Sequence, residues 1–161
     1  MTDTTLTTSP ATSSSTFRIA FIQACWHRDI VDQCRDSFLK EIALLTDCTV
    51  ECIELPGAFE IPLHAKLLIE SGNYDAVVAA GLVTDSGIYR HEFVAHAVID
   101  GLMRVQLDTG KPVFSAVLTP HQFHNYDEHI NFFVNHFVVK GKEAAVACAN
   151  TLTSMKKLSL L

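Results

Sequence analysis

The chain alternates between short, almost continuously apolar runs and longer segments in which apolar residues recur every three or four positions. Runs of strand length with little polar interruption are typical of parallel strands that are covered on both faces. A spacing of three to four places apolar side chains along one face of a helix. The pattern therefore predicts four strands, at residues 17–24, 49–55, 75–82 and 113–118.

Two helices are predicted in the first half of the chain. The first begins at Asp29, a residue type that caps helices. The second covers residues 61–70, with Pro62 in the first turn, where proline is tolerated, and Ser-Gly-Asn at 71–73 after its end. The apolar face predicted for the first helix consists of Ile30, Cys34, Phe38, Ile42 and Leu45.

Two further helices are predicted in the second half. The third helix ends near Gly110, and its apolar face is formed by Phe93, Ala97, Gly101 and Val105, flanked by Val94, Val98 and Leu102. The closing helix begins at Lys142 and ends near residue 158, with one face formed by Ala144, Cys148, Leu152 and Met155. Residues 119–137 are rich in histidine and aromatic residues and are not assigned to one element.

The predicted order is β-α-β-α-β-α-β-α-α, which indicates an α/β fold. Such alternation favours a three-layer α/β/α sandwich around a four-stranded parallel sheet. No internal repeat or second domain is visible, so residues 17–161 are expected to form one domain. The Thr/Ser-rich segment 1–16 has neither an apolar core nor basic residues of a secretory signal, and we predict a disordered tail there.

Charge, apolar content and cysteine content limit which partners and which cellular compartment the sequence predicts. The formal net charge of −6 and the absence of a basic run argue against nucleic acid or an anionic membrane as a partner. No apolar stretch approaches the roughly 18 residues that span a bilayer. The five cysteines are odd in number and contain no CxxC pair, which favours reduced thiols in a cytoplasmic protein.

Polar and aromatic residues follow each predicted strand. Ligands of open α/β sheets bind beyond the carboxyl ends of the strands, so these residues are expected to gather at one site. Their chemistry suits a flat, polar molecule, with or without a phosphate group. The segments concerned are 25–27, 57–60, 84–92 and 119–124.

Several of these residues also allow a purely structural interpretation. Trp26 is either an interface anchor or a stacking platform, and its strand-end position favours stacking. Cys25 and His27 do not form a convincing nucleophile pair, because neighbouring side chains of an extended segment point apart. Gly87 before a helix is a weak sign of an anion site, and Asp85 opposes it. No ligand spacing supports a metal at His121, His124 and His129.

Residues 55–62, with the sequence LPGAFEIP, resemble the PGAFEIP motif of the lumazine synthase family. The match is specific because it is contiguous and falls at the expected junction of strand and helix. Trp26 lies where the family carries an aromatic residue, and further framework segments agree. These segments are 74–76, 81–83, 111–113 and 140–141, and the resemblance extends from Phe17 to Leu158.

The resemblance implies a flavodoxin-like fold and rings of five subunits with active sites at subunit interfaces. It implies condensation of 5-amino-6-(D-ribitylamino)uracil with 3,4-dihydroxy-2-butanone 4-phosphate, which gives 6,7-dimethyl-8-ribityllumazine. No metal or organic cofactor is expected, and the expected partners are small-molecule substrates and copies of the chain.

The resemblance also assigns roles to matching positions. Trp26 is expected to stack on the pyrimidine, Glu60 to hold the substrate through its carboxylate, and Ser115 to come from the neighbouring subunit in place of a family Phe. The expected substrate-binding residues are Trp26, His27, Ala58, Phe59, Glu60, Leu82, Val83, Thr84 and Ser115. The expected phosphate-binding residues are Gly87, Ile88 and His129.

The loop after the third strand departs from the usual family pattern. Counted without gaps, Arg90 falls on the position of the family's catalytic His, and His91 comes one residue later. The family's phosphate-binding Arg is absent, and His129 is its nearest match. This combination resembles the second, divergent type of lumazine synthase.

Arg90 and His91 are therefore the predicted catalytic residues. Arginine stays charged and is a poor proton donor, so Arg90 is expected to stabilise the departing phosphate electrostatically, and to matter more there than His91. Because both reactants are intrinsically reactive, positioning supplies much of the rate. A flavin- or lumazine-binding protein without strong catalysis is the alternative, and a purely structural oligomer is a third possibility.

The stretch 131–139 predicts an assembly that is pentamer-based but not icosahedral. It lacks the glycine-rich linker of capsid-forming family members and carries several aromatic residues. Exposed apolar patches usually mark interfaces. Two pentamers placed face to face would cover such a patch, so a decamer is expected.

Overall fold

The computed structural model describes residues 16–85, 87 and 90–159. Its strands are β1 (Phe17–Ala24), β2 (Cys48–Leu55), β3 (Ala76–Leu82) and β4 (Val113–Leu118). Its helices are α1 (Arg28–Leu45), α2 (Ile61–Glu70), α3 (His91–Thr109) and α4 (Asp127–Leu158), and a short 3₁₀ turn, Ala58–Glu60, precedes α2. Residues 1–15 of the predicted disordered tail lie outside the described residues.

The four strands form one parallel sheet in the order β2-β1-β3-β4. Every residue of the central strand β3 is buried, because helices cover both faces. One core layer packs α1 and α4 on the sheet, and the other packs α2 and α3 on the opposite face. This arrangement confirms the predicted α/β/α sandwich with a four-stranded parallel sheet, and the strand limits agree to within one residue.

The start and end of α1 differ from the prediction. Asp29 is not the cap, because α1 already begins at Arg28 and the capping position belongs to His27. His27 has a left-handed backbone, and its carbonyl accepts the N–H groups of Ile30 and Val31 at 3.0 Å. Leu45, predicted on the buried face, is 43% exposed because the helix ends there and the chain turns into β2.

The predicted apolar face of α3 was wrong at its outer edge. Phe93 and Ala97 are exposed, whereas His91 and Ala95 are buried beside Val98. The error has a physical cause: α3 carries large apolar side chains on two faces, and only one of them packs on the sheet. A helix with two apolar faces leaves periodicity unable to select the inner one.

The two helices that end the predicted order are a single helix in the structure, and it begins well before Lys142. Helix α4 continues for 32 residues from Asp127 to Leu158 and passes through Gly141 without a break. The glycine is needed for close packing, since a methyl group there would lie 2.8 Å from Ser37 Cβ and would also meet the backbone carbonyl of Cys34. Helices α1 and α4 therefore cross with their backbones almost in contact. No described helix is long and apolar enough to cross a membrane.

Candidate active site

A pocket of about 570 Å³ opens at the carboxyl ends of the central strands. Segments that are distant in sequence meet there because parallel strands end at the same edge of the sheet. Its lining residues are Trp26, Pro56, Gly57, Ala58, Phe59, Glu60, Leu82, Val83, Thr84, His91 and Val94. Most of the sequence-predicted substrate residues are thus brought together.

The turn between β2 and α2 holds an indole and a carboxylate close to the same backbone. A methyl group on Gly57 would lie 3.1 Å from Glu60 Oε2 and 3.7 Å from Trp26 Nε1. Glycine leaves this space free, so both side chains approach the chain here. Trp26 is 64% exposed, and Phe59 is exposed as well. Two apolar rings and one anionic acceptor thus face the pocket and are free to contact a ligand.

The end of β3 forms the floor of the pocket. Leu82 and Val83 are buried, and the Val83 N–H donates to the carbonyl of Leu118 at 2.9 Å. That N–H is therefore already used within the sheet. Thr84, which follows, lies within hydrogen-bonding distance of His27, with 3.2 Å between Thr84 Oγ1 and His27 Nε2.

The two predicted catalytic residues occupy different environments. His91, the first residue of α3, lines the pocket and is only 8% exposed. Its Nδ1 lies 3.7 Å from the Glu92 carboxylate. Arg90 is exposed and absent from the lining, and its guanidinium lies 4.4 Å from the centre of the Phe93 ring. The pocket of this chain therefore contains the imidazole, and the guanidinium stacks outside it.

The expected phosphate residues are only partly assembled. Gly87 has a positive φ of 74°, and its N–H donates to Asp85 Oδ1 at 2.8 Å. The neighbouring carboxylate thus occupies the donor that was expected to bind phosphate. Ile88 lies outside the described residues.

His129 and Ser115 lie away from the pocket. His129 Nδ1 accepts the backbone N–H of His124 at 2.9 Å, and its ring stacks against those of Phe123 and Tyr126. Ser115 is exposed on the edge strand β4, and its hydroxyl accepts the Val117 N–H at 3.3 Å. Neither side chain belongs to the pocket formed by a single chain.

Two lining residues were not predicted. Val94 lies one helical turn after His91, and this spacing of three was available in the sequence as a signal. Pro56 is the first residue of the PGAFEIP motif and was treated only as a turn residue. No group of three or more His, Cys, Asp or Glu side chains within the described ranges is arranged to hold a metal ion.

Comparison with known proteins agrees with the motif. A family model described as 6,7-dimethyl-8-ribityllumazine synthase matches residues 16–156. A Rhodococcus erythropolis protein of that name is 63% identical over 143 residues, which cover 88% of this chain and 92% of the relative. Proteins named 6,7-dimethyl-8-ribityllumazine synthase 2 from Bradyrhizobium diazoefficiens and Pseudomonas syringae pv. tomato are 57% and 56% identical, over 88% and 89% of this chain and 86% of each relative.

The matched span includes the sheet, the pocket and most of α4. The resemblance first indicated by the motif at residues 55–62 is therefore confirmed. The chain belongs to the 6,7-dimethyl-8-ribityllumazine synthase family, the transferases that form the lumazine precursor in riboflavin biosynthesis.

Proposed function

We propose that the pocket beside Trp26 is where the chain condenses 5-amino-6-(D-ribitylamino)uracil with 3,4-dihydroxy-2-butanone 4-phosphate. The observation that carries the proposal is the meeting of Trp26, Glu60 and His91 in one cavity of about 570 Å³. An aromatic platform, a carboxylate and a buried imidazole are the groups that a planar, hydroxylated amine substrate requires.

The ribityl-uracil is held by the first two strand-end segments. The Trp26 indole stacks on the pyrimidine, and stacked aromatic pairs contribute about 0.5–1.5 kcal/mol beyond the area that they bury. The Glu60 carboxylate accepts hydrogen bonds from ribityl hydroxyls, while Ala58 and Phe59 contribute backbone groups. Leu82 and Val83 line the pocket beside the uracil edge, where Val83 can offer its carbonyl but not its N–H, because that N–H is already bonded to Leu118.

His91 is the proton-transfer residue in this proposal. The chemistry requires amine addition to a ketone, loss of phosphate and ring closure, and a positioned acid or base accelerates such steps about 10²–10⁴-fold. The buried imidazole can accept and return a proton, which an always-charged guanidinium cannot. Arg90 retains an electrostatic role at the phosphate end, where the Gly87 N–H is already bonded to Asp85.

The decisive experiment assays the purified protein with both substrates and follows lumazine absorbance. His91→Gln should lower kcat by at least about tenfold, because proton transfer is lost. His96→Gln is the matched control, since His96 is an exposed histidine on the same helix. Trp26→Ala should raise the KM for the ribityl-uracil.

Full activity of His91→Gln, with Arg90→Ala inactive, would contradict the assignment and restore the role first predicted for Arg90. A yellow, inactive wild-type protein would favour flavin or lumazine binding without catalysis.

We also propose a pentamer-based assembly that pairs into a decamer. Support comes from exposed apolar side chains on the outer faces of α2 and α3, namely Leu63, Leu67, Ile99, Met103 and Leu107, and on α4, namely Phe132 and Val139. A family Phe is replaced by Ser115 on the exposed edge strand, where a neighbouring subunit can use it. Native mass spectrometry tests the idea: a monomer or a sixty-subunit particle would refute it.

A cytoplasmic location is the final part of the proposal. All five cysteines are free, as expected for a protein that folds in a reducing compartment. Cell fractionation followed by immunodetection tests it, and recovery in the extracytoplasmic fraction would contradict it.

A further inference from the structure

His27 has a backbone conformation that is uncommon for a residue other than glycine. Its φ and ψ are 54° and 46°, in the left-handed region that glycine and asparagine enter most readily. Non-glycine residues stay there only where surrounding contacts hold them, and such positions cluster at functional sites. The contacts of His27 are therefore the evidence that needs to be explained.

The imidazole of His27 contacts two other strand-end segments. Its Nε2 lies 3.2 Å from Thr84 Oγ1, after β3. Its ring packs on Phe123, after β4, with 4.8 Å between the centroids and a tilt of 59°. The ring is half-buried, and burial lowers its pKa, so the imidazole is neutral near pH 7. A neutral imidazole and a hydroxyl form a hydrogen bond in either direction.

Two neighbours of His27 line the pocket. Trp26 precedes it directly and lines the pocket, as does Thr84. The Trp26 indole is largely exposed, so packing restrains it little, and the backbone of its neighbour His27 sets the path of the chain that carries it.

We propose that His27 is a positioning residue that ties the β1, β3 and β4 ends together and holds Trp26 and Thr84 in register for the ribityl-uracil. The inference rests on the proposed use of this pocket. It assigns to His27 an effect on substrate affinity that acts through its neighbours rather than through direct contact with the reacting atoms. We call the contacts of His27 with Thr84 and Phe123 the clamp. Phe123, which lies in the histidine-rich segment that the sequence left unassigned, supports the clamp by packing against the His27 ring.

Trp26 is the single tryptophan of the chain, so the tryptophan fluorescence of the protein reports the motion of this side chain. His27→Asn removes the ring but suits the left-handed backbone. Thr84→Val removes only the hydroxyl, and Thr84→Ser keeps it. Time-resolved fluorescence anisotropy should show faster Trp26 motion in His27→Asn and Thr84→Val than in the wild type and Thr84→Ser.

The affinity arm uses 6,7-dimethyl-8-ribityllumazine as the probe in calorimetry. His27→Asn and Thr84→Val should each weaken its Kd about 3- to 10-fold, as expected for one lost hydrogen bond. The Kd of the double variant should lie within about twofold of the Kd of whichever single variant binds more weakly, because both substitutions remove the same interaction. The loss should fall on the KM for the ribityl-uracil rather than on kcat.

Multiplicative losses in the double variant, or unchanged Trp26 anisotropy in both single variants, would overturn the clamp. If His27→Asn fails to fold, the Thr84→Val and Thr84→Ser pair carries the same test. Failure of the wild type to bind the lumazine would reject the proposed function instead, and the anisotropy arm would still decide the clamp.

Discussion

Replacing Gly141 by alanine should push α1 and α4 apart. The added methyl group would lie 2.8 Å from Ser37 Cβ and 2.9 Å from the backbone N of Phe38, and it would also meet the Cys34 carbonyl. Two of these three atoms belong to the backbone of α1, so no change of rotamer relieves the contact. The crossing is further fixed by the Ser37 hydroxyl, which donates to the Val138 carbonyl at 2.6 Å.

The expected cost follows from the displacement required. Carbon atoms pack best at about 3.5–4.0 Å, so the helices must separate locally by at least roughly 0.7 Å, and gaps of that size forfeit a quarter to a half of the dispersion contact. Overpacking costs about 1–3 kcal/mol, and the backbone location places this case at the upper end. Because alanine has the higher helix propensity, replacing glycine also stabilises the helix by about 1 kcal/mol. The net expectation is a loss of about 2 kcal/mol, or roughly 4–8 °C in Tm.

Thermal unfolding followed by circular dichroism at one fixed protein concentration measures the effect. Asn150→Ala is the matched control, because it changes an exposed position on the same helix and should be neutral or slightly stabilising. If Gly141→Ala raised Tm as helix propensity alone predicts, or left it unchanged, the proposed close crossing of α1 and α4 would be wrong.

Three other predictions follow from local contacts. Asp85→Ala should lower the KM for the phosphorylated substrate several-fold, since no side-chain oxygen then competes for the Gly87 N–H and no carboxylate repels the phosphate. An unchanged or higher KM in steady-state kinetics would contradict this. Burial raises the pKa of Cys34 and Cys148 to about 12, so native protein should leave both thiols unlabelled by a maleimide until denaturant is added, as read by mass spectrometry. Burial lowers the pKa of His27, so the folded state binds fewer protons than the unfolded state below about pH 6.5. The free energy of unfolding should therefore fall as pH drops from about 6.5 towards 5, and His27→Asn should reduce that fall in urea titrations.

The strands were predictable because burial on both faces leaves a plain signal. The run from Ala76 to Leu82 is apolar throughout, and turn residues such as Pro56 and Gly57 mark where neighbouring strands end. The strand-end rule then located most of the pocket, since the topology fixes which ends meet. That part of the site required no knowledge of side-chain geometry.

The other features of the fold and the site depend on tertiary packing, which the spacing of apolar residues does not reveal. Phe93 was predicted inside because α3 is apolar on two faces, and only packing selects one of them. Arg90 was placed on the catalytic position by counting residues, whereas the start of α3 directs His91 into the pocket. The side chain of His27, whose backbone is left-handed, contacts Thr84 and Phe123, which are far away in sequence.

The pairing of α1 with α4 has a consequence for synthesis on the ribosome. The buried face of α1 is complete once Ile42 has been made, but its partner face begins at Phe133, about 90 residues later. At about 5–20 residues per second, that face waits roughly 4–18 s without its native cover. Nascent chains are therefore most exposed to aggregation and most in need of chaperones during that interval, and a pause in translation between the two helices would lengthen it.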